Sequence, residues 1–224
     1  MPRRLFPILA LAALPALAET PNLSRNATGE SGSAARLILA QRAYQAALRE
    51  GEVLALLSAI SLARGISQRP ATGWTRRTEG KTPADPPQGA PAAPDPGGEA
   101  AMTVARNLAG EDPNLQDLVY ALDAQVPHGR IPTAVVAPAD LPPGQTDIWT
   151  LPLFGEVAAE IGLIGDGDGP LSLTVTDETG ATLCARLASA GPMLCSLTPA
   201  RNGFFTVTIR NSGATVNSYR LIGN

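Results

Sequence analysis

The sequence predicts an α+β protein of two domains, a small helical-hairpin bundle followed by an antiparallel β-sandwich or barrel. Three observations predict it. Residues 34–64 and 99–125 repeat apolar side chains at helical spacing. From Gly129 onward the period falls to two, in short Thr/Val/Leu/Ile-rich runs cut by glycine turns. Between the helical stretches lies a run of prolines that fits neither pattern.

The chain opens on Met1-Pro2-Arg3-Arg4, then an apolar run from Leu5 to Leu17 with Ala16 and Ala18 at its end. A basic start, a short apolar stretch and small residues at the −3 and −1 positions predict a secretory signal over 1–18, cut after Ala18. The run is shorter than the ~20 residues a membrane span needs. No later segment is long and apolar enough to span, so the expected localisation is periplasmic or secreted. Loss of Arg3 and Arg4 moves the formal charge from −3 to −5. That balance lacks the basic face a nucleic-acid partner demands.

Residues 19–33 are small and polar and read as a flexible N-terminus; Asn26-Ala27-Thr28 matches a glycosylation sequon by chance. Leu37, Ala40, Tyr44, Ala47 and Leu48 share one helix face over 34–50, and Val53, Leu54, Leu57 and Ile60 share another over 52–64. Gly51 between them suits a helix end in the left-handed conformation. Residues 65–98 hold Pro70, Pro83, Pro86, Pro87, Pro91, Pro94 and Pro96. Such a stretch buries too little apolar area to offset its ordering entropy, so it is expected to be a disordered or extended insertion within a helical domain of 34–127. Its Trp74, flanked by Arg76 and Arg77, is expected to dock back on the helices. Met102, Ala105, Leu108 and Ala109 form the next helical stripe. Asp112-Pro113 then supplies an N-cap and a first-turn proline for a fourth helix bearing Leu115, Leu118, Val119 and Leu122. The two hairpins are expected to pack together, since neither has enough apolar surface alone.

Over 128–224 the expected strands are 132–137, 147–152, 156–163, 171–176, 181–187, 193–197, 203–210 and 216–222. Cys184 and Cys195 are the only cysteines. In an exported chain they predict a disulfide, set across a hairpin whose turn is at 189–192.

Residues 140–224 carry a resemblance. Pro143-Gly144-Gln145-Thr146-Asp147, the run Gly165-Asp166-Gly167-Asp168-Gly169-Pro170-Leu171-Ser172-Leu173-Thr174-Val175-Thr176-Asp177-Glu178-Thr179-Gly180, Leu197-Thr198-Pro199, Gly203-Phe204-Phe205-Thr206-Val207, Asn211-Ser212-Gly213 and Asn217-Ser218-Tyr219-Arg220-Leu221 stand in the order of bacterial pre-peptidase C-terminal domains. The resemblance implies a jelly-roll-like sandwich that is non-catalytic and serves secretion, substrate or matrix binding, sometimes with calcium. The calcium candidates would be Asp166, Asp168 and Asp177, since that ion takes several oxygen ligands. Pro170 and Ser172 stand where relatives often carry acids, so no cofactor is expected. Leu197 stands where relatives often show tryptophan.

No peptidase domain precedes the module. His128 is the only histidine, between Pro127 and Gly129, and no nucleophile elbow, zinc motif, dinucleotide fingerprint or P-loop is present. A carboxylate pair of the glycosidase kind is the one enzymatic alternative the residue types leave open, making the chain a carbohydrate-active hydrolase. The stretch Ala43-Tyr44-x-Ala46-Ala47-Leu48-x-x-Gly51 resembles a tetratricopeptide unit, but the repeat period is absent. The expected role is an exported binding or scaffold protein, not an enzyme, with an unknown protein or an envelope polysaccharide as partner.

Overall fold

A computed structural model describes residues 20–25, 32–81, 83–125 and 132–224. The expected signal segment, the Asn26 sequon and His128 lie outside the described residues. The helices are α1 (Ser33–Glu50), α2 (Val53–Arg64), α3 (Glu99–Ala109) and α4 (Pro113–Asp123). Their ends have the expected chemistry. Gly51 ends α1 at φ 71°, its N–H donating to the Ala47 carbonyl. The Asp112 carboxylate accepts the Asn114 and Leu115 N–H groups ahead of Pro113.

The strands are β1 (Ser67–Pro70), β2 (Thr75–Glu79), β3 (Thr133–Leu141), β4 (Thr146–Leu153), β5 (Ala159–Ile164), β6 (Leu171–Thr176), β7 (Thr182–Ser189), β8 (Met193–Leu197), β9 (Gly203–Asn211) and β10 (Asn217–Gly223). They form two five-stranded sheets. The first has the order β1-β3-β10-β5-β8 and the second β2-β4-β9-β6-β7. Pairing is antiparallel except between β1 and β3.

All eight expected strands form. The expectation for 65–98 does not hold where β1 and β2 lie: each supplies an edge strand, one to each sheet. Both are short and largely exposed. An edge strand is held through its backbone ladder, so it needs no alternating apolar signal. Charged residues and a proline at its end are the usual guards against stray pairing. The sheets therefore draw on both halves of the chain, and the boundary expected near 128 does not separate helices from strands.

Three apolar clusters follow. Leu151, Leu163, Leu173, Val175, Phe205, Val207, Ile209 and Leu221 fill the space between the sheets. Tyr44, Leu56, Ile60, Met102, Ala105 and Val119 join the helices. Ala34, Leu37 and Ile38 of α1 pack with Ala134, Ile164 and Ile222 on the outer face of the first sheet. That face explains β5, which is buried at every position and so loses the period of two. Gly162 permits the approach: a Cβ there would lie 3.0 Å from Ile38 Cγ1. The Glu160 carboxylate completes the seat by accepting the Gly32 N–H at 2.7 Å and the Ala35 N–H at 2.8 Å, which caps the N-terminus of α1.

Cys184 and Cys195 are bonded, with Cα atoms 6.0 Å apart. The hairpin expected around them does not form. Cys184 pairs with Val175 in the second sheet and Cys195 with Ile161 in the first, so the bond staples one sheet to the other. Period-two patterning reports which residues point inward but not which sheet a strand joins. Leu187, three residues beyond Cys184 in β7, is 91% exposed. Trp74 corrects a further expectation. It lies on the sandwich, its ring edge-to-face with Trp149 at 6.4 Å.

Candidate functional site

The three aspartates singled out from sequence are structural ligands of backbone. Asp166 accepts the Ser218 N–H at 2.8 Å and the Asp168 N–H at 3.3 Å. Burial, followed by a hydrogen bond shared with the Asp168 side chain, pushes its carboxyl up from the ordinary range. Asp168 accepts the Ala90 N–H at 2.7 Å, and the Pro87 carbonyl accepts the Val216 N–H at 2.9 Å. The proline-rich stretch is thus tied over the glycine-rich turn. Asp177 is elsewhere in its bonding: it accepts from Thr179 N, Thr179 Oγ1, Ala181 N and Asn22 N. Among the described residues no group of three or more His, Cys, Asp or Glu is placed to hold a metal ion.

A second polar group sits inside the sandwich. Asp147 is fully buried, and its Oδ2 meets Arg76 Nη2 at 2.8 Å. Tyr219 donates its hydroxyl proton to Asp147 and accepts from Trp149 Nε1 at 2.7 Å. Thr78 Oγ1 donates to Asp147 Oδ1 at 2.5 Å. Arg76 also lies over the Trp149 ring, 5.8 Å from its centroid. Burial and the Asp147 carboxylate hold the Tyr219 phenol far above its ordinary range, so it acts as a fixed donor. The Asp147 side chain itself has no exposed surface, both its oxygens are taken, and through Arg76, Thr78 and Tyr219 it ties β2 to β4 and β10.

Accessible features of the sandwich lie at its other face and at one end. The outward residues of the second sheet are partly or fully exposed. In register across its five strands stand Thr75, Thr150, Thr206, Thr176 and Thr182. The end formed by the β4–β5, β6–β7 and β8–β9 turns exposes Phe154, Val157 and Phe204. Phe204 is opposite Pro152, two residues before Phe154.

This same end holds the N-terminal segment, which the sequence reading took as flexible. Asn22 is fully buried. Its N–H donates to Asp177 Oδ2 at 2.7 Å, and its Oδ1 accepts the Arg201 N–H at 2.9 Å. Its Nδ2 donates to the Arg201 carbonyl at 3.1 Å and to the Glu178 carboxylate at 3.1 and 3.2 Å. Ser24 N–H donates to the Thr198 carbonyl at 2.7 Å, and Glu178 pairs with Arg201 at 2.6 Å. Burial raises the Asp177 carboxyl, but the bonds from Thr179, Asn22 and Ala181 outweigh it and hold the group below its ordinary value. Glu178 is also held low, by its own backbone N–H and then by Asn22.

Sequence reasoning missed Asn22, Arg76, Asp147 and Tyr219 as site residues; the last two entered only as parts of the motifs that carry the family resemblance. Asn22 meets its partners across 155 to 179 residues, and no local pattern encodes that.

No family model matches the chain, and no curated protein matches it. Among solved structures it is similar to the Yersinia pseudotuberculosis-derived mitogen (YPM). The identity is 11%, over 42% of this chain and 86% of that one, with a TM-score of 0.30.

Proposed function

We propose that the protein is an exported, non-catalytic binding or scaffold protein whose sandwich, of the pre-peptidase C-terminal kind, is the recognition module. One observation carries this reading. α1 and the end of α2 pack on the outer face of the first sheet, while the second sheet keeps an accessible face that runs into the exposed Phe154, Val157 and Phe204. Exposed aromatic side chains at one end of a rigid scaffold are the usual anchors of recognition. The partner class is a protein or polysaccharide of the cell envelope, met in the periplasm or outside the cell.

The test is capture. Mature chain is immobilised and exposed to separated envelope fractions: peptidoglycan, outer-membrane vesicles and secreted proteins. The wild type is expected to retain a component that the Phe154→Ser/Phe204→Ser double variant does not. Equal retention by both chains would remove the proposed surface.

A further inference from the structure

Residues 20–25 are seated as a ligand is seated. Thr20, Pro21, Leu23 and Arg25 are exposed and Ser24 is half-buried, yet Asn22 between them has no exposed surface. One anchor side chain sunk in a pocket, with backbone bonds on either side, is the pattern of short-peptide recognition. Here the backbone bonds are Asn22 N–H to Asp177 and Ser24 N–H to the Thr198 carbonyl.

The pocket also discriminates. It presents one donor, the Arg201 N–H, to the amide oxygen, and acceptors, the Arg201 carbonyl and the Glu178 carboxylate, to the amide nitrogen. Asparagine matches that set. An aspartate would turn a carboxylate toward Glu178 and leave the Arg201 carbonyl without a donor. An aliphatic side chain would leave both groups of Arg201 unmet. Gly203 forms a tight floor, where a Cβ would lie 3.2 Å from Asn22 Nδ2 and 3.1 Å from Glu178 Oε2.

We propose that the sandwich end built from Asp177, Glu178, Thr198, Arg201 and Gly203 is a peptide-binding site that reads an asparagine in an extended segment, and that residues 20–24 are its built-in occupant. This rests on the reading of the sandwich as a recognition module and names its ligand class. A partner peptide gains the site by displacing the chain's own segment. A short tether gives that segment an effective concentration on the order of millimolar. The site is therefore occupied until a better-matched or more concentrated asparagine-bearing peptide arrives.

The probe is the synthetic hexapeptide of residues 20–25, with a second peptide in which aspartate replaces the asparagine. Hydrogen exchange is followed on the full mature chain. With millimolar hexapeptide, exchange at the Asn22 N–H is expected to rise several-fold, because the cis segment leaves. The Arg201 N–H is expected to stay protected, because the incoming asparagine takes it. The aspartate peptide is expected to leave exchange at both amides unchanged, because the cis segment stays in place. The Asn22→Ala chain should bind the asparagine peptide about tenfold or more tightly than the aspartate one. Should that variant not fold, the wild-type exchange decides. Unchanged exchange at Asn22, or equal action of the two peptides, overturns the proposal. The capture assay on Phe154 and Phe204 is read at other residues, so failure here with capture intact removes this site and leaves the module standing.

Discussion

Asp147 and Asp177 are both buried carboxylates, and they are held by opposite means. Asp147 faces a charge, the Arg76 guanidinium, together with two hydroxyls. Removing one partner of a buried pair leaves the other charge desolvated. Arg76→Ala should therefore cost about 3 kcal/mol, the low end of the range for buried pairs, because the Arg76 side chain is itself partly exposed. Tyr219→Phe removes a donor from Asp147 and an acceptor from Trp149 at once, and should cost about 1–3 kcal/mol. Denaturant melts of both variants check these figures. Asp177 is met by N–H and O–H dipoles and carries a lowered pKa. Its folded value lies below its unfolded one, so its stabilising contribution is complete above ~3.9, the ordinary aspartate value, and is lost as pH falls through the folded value. Asp177→Asn should flatten the acid limb of a stability-against-pH curve, and the Asn22 N–H should lose exchange protection over the same range in the wild type. Neither role is legible in the sequence. An aspartate beside Thr179-Gly180 looks like a turn residue, and it is one; the bond to Asn22 has no local signature.

At the scale of elements the sequence was largely readable. Helices appear within two residues of their expected ends because Gly51 and Asp112-Pro113 are strong stop and start signals. Strands β6 and β9 alternate buried and part-exposed residues without a break over their central residues, as Thr174-Val175-Thr176 and Thr206-Val207-Thr208 suggest. β1 and β2 escaped because they bury almost nothing, and their stability is in ladders to β3 and β4. Trypsin should accordingly spare Arg76 and Arg77 in the native protein and cut first after Lys81, beyond the last ladder pair of β2 at Glu79; mass spectrometry of early fragments tells the two apart. The disulfide belongs to this scale as well. Replacing both cysteines by serine should lower stability by about 3 kcal/mol in the loop-entropy model. The loss should be shared by both sheets, because the bond joins an edge strand of each.

For the whole molecule, contacts of α1 and of the segment after α2 join the helices to the sandwich. α1 is capped by Glu160 of β5 and packed on Ile164 and Ile222, and the segment after α2 closes an edge of each sheet. A fragment of residues 132–224 should therefore unfold at a lower temperature than the full chain, and the full chain should melt in a single transition by circular dichroism and by tryptophan fluorescence alike. Two separated transitions would mean independent domains. β10 is the last strand, yet it is central in its sheet, between β3 and β5. Until it emerges, β1–β3 and β5–β8 are two unconnected ribbons with their facing backbone groups unpaired, and the seat of α1 lacks Ile222. The first sheet therefore closes in one step, when β10 enters between them, and the same step completes the seat of α1.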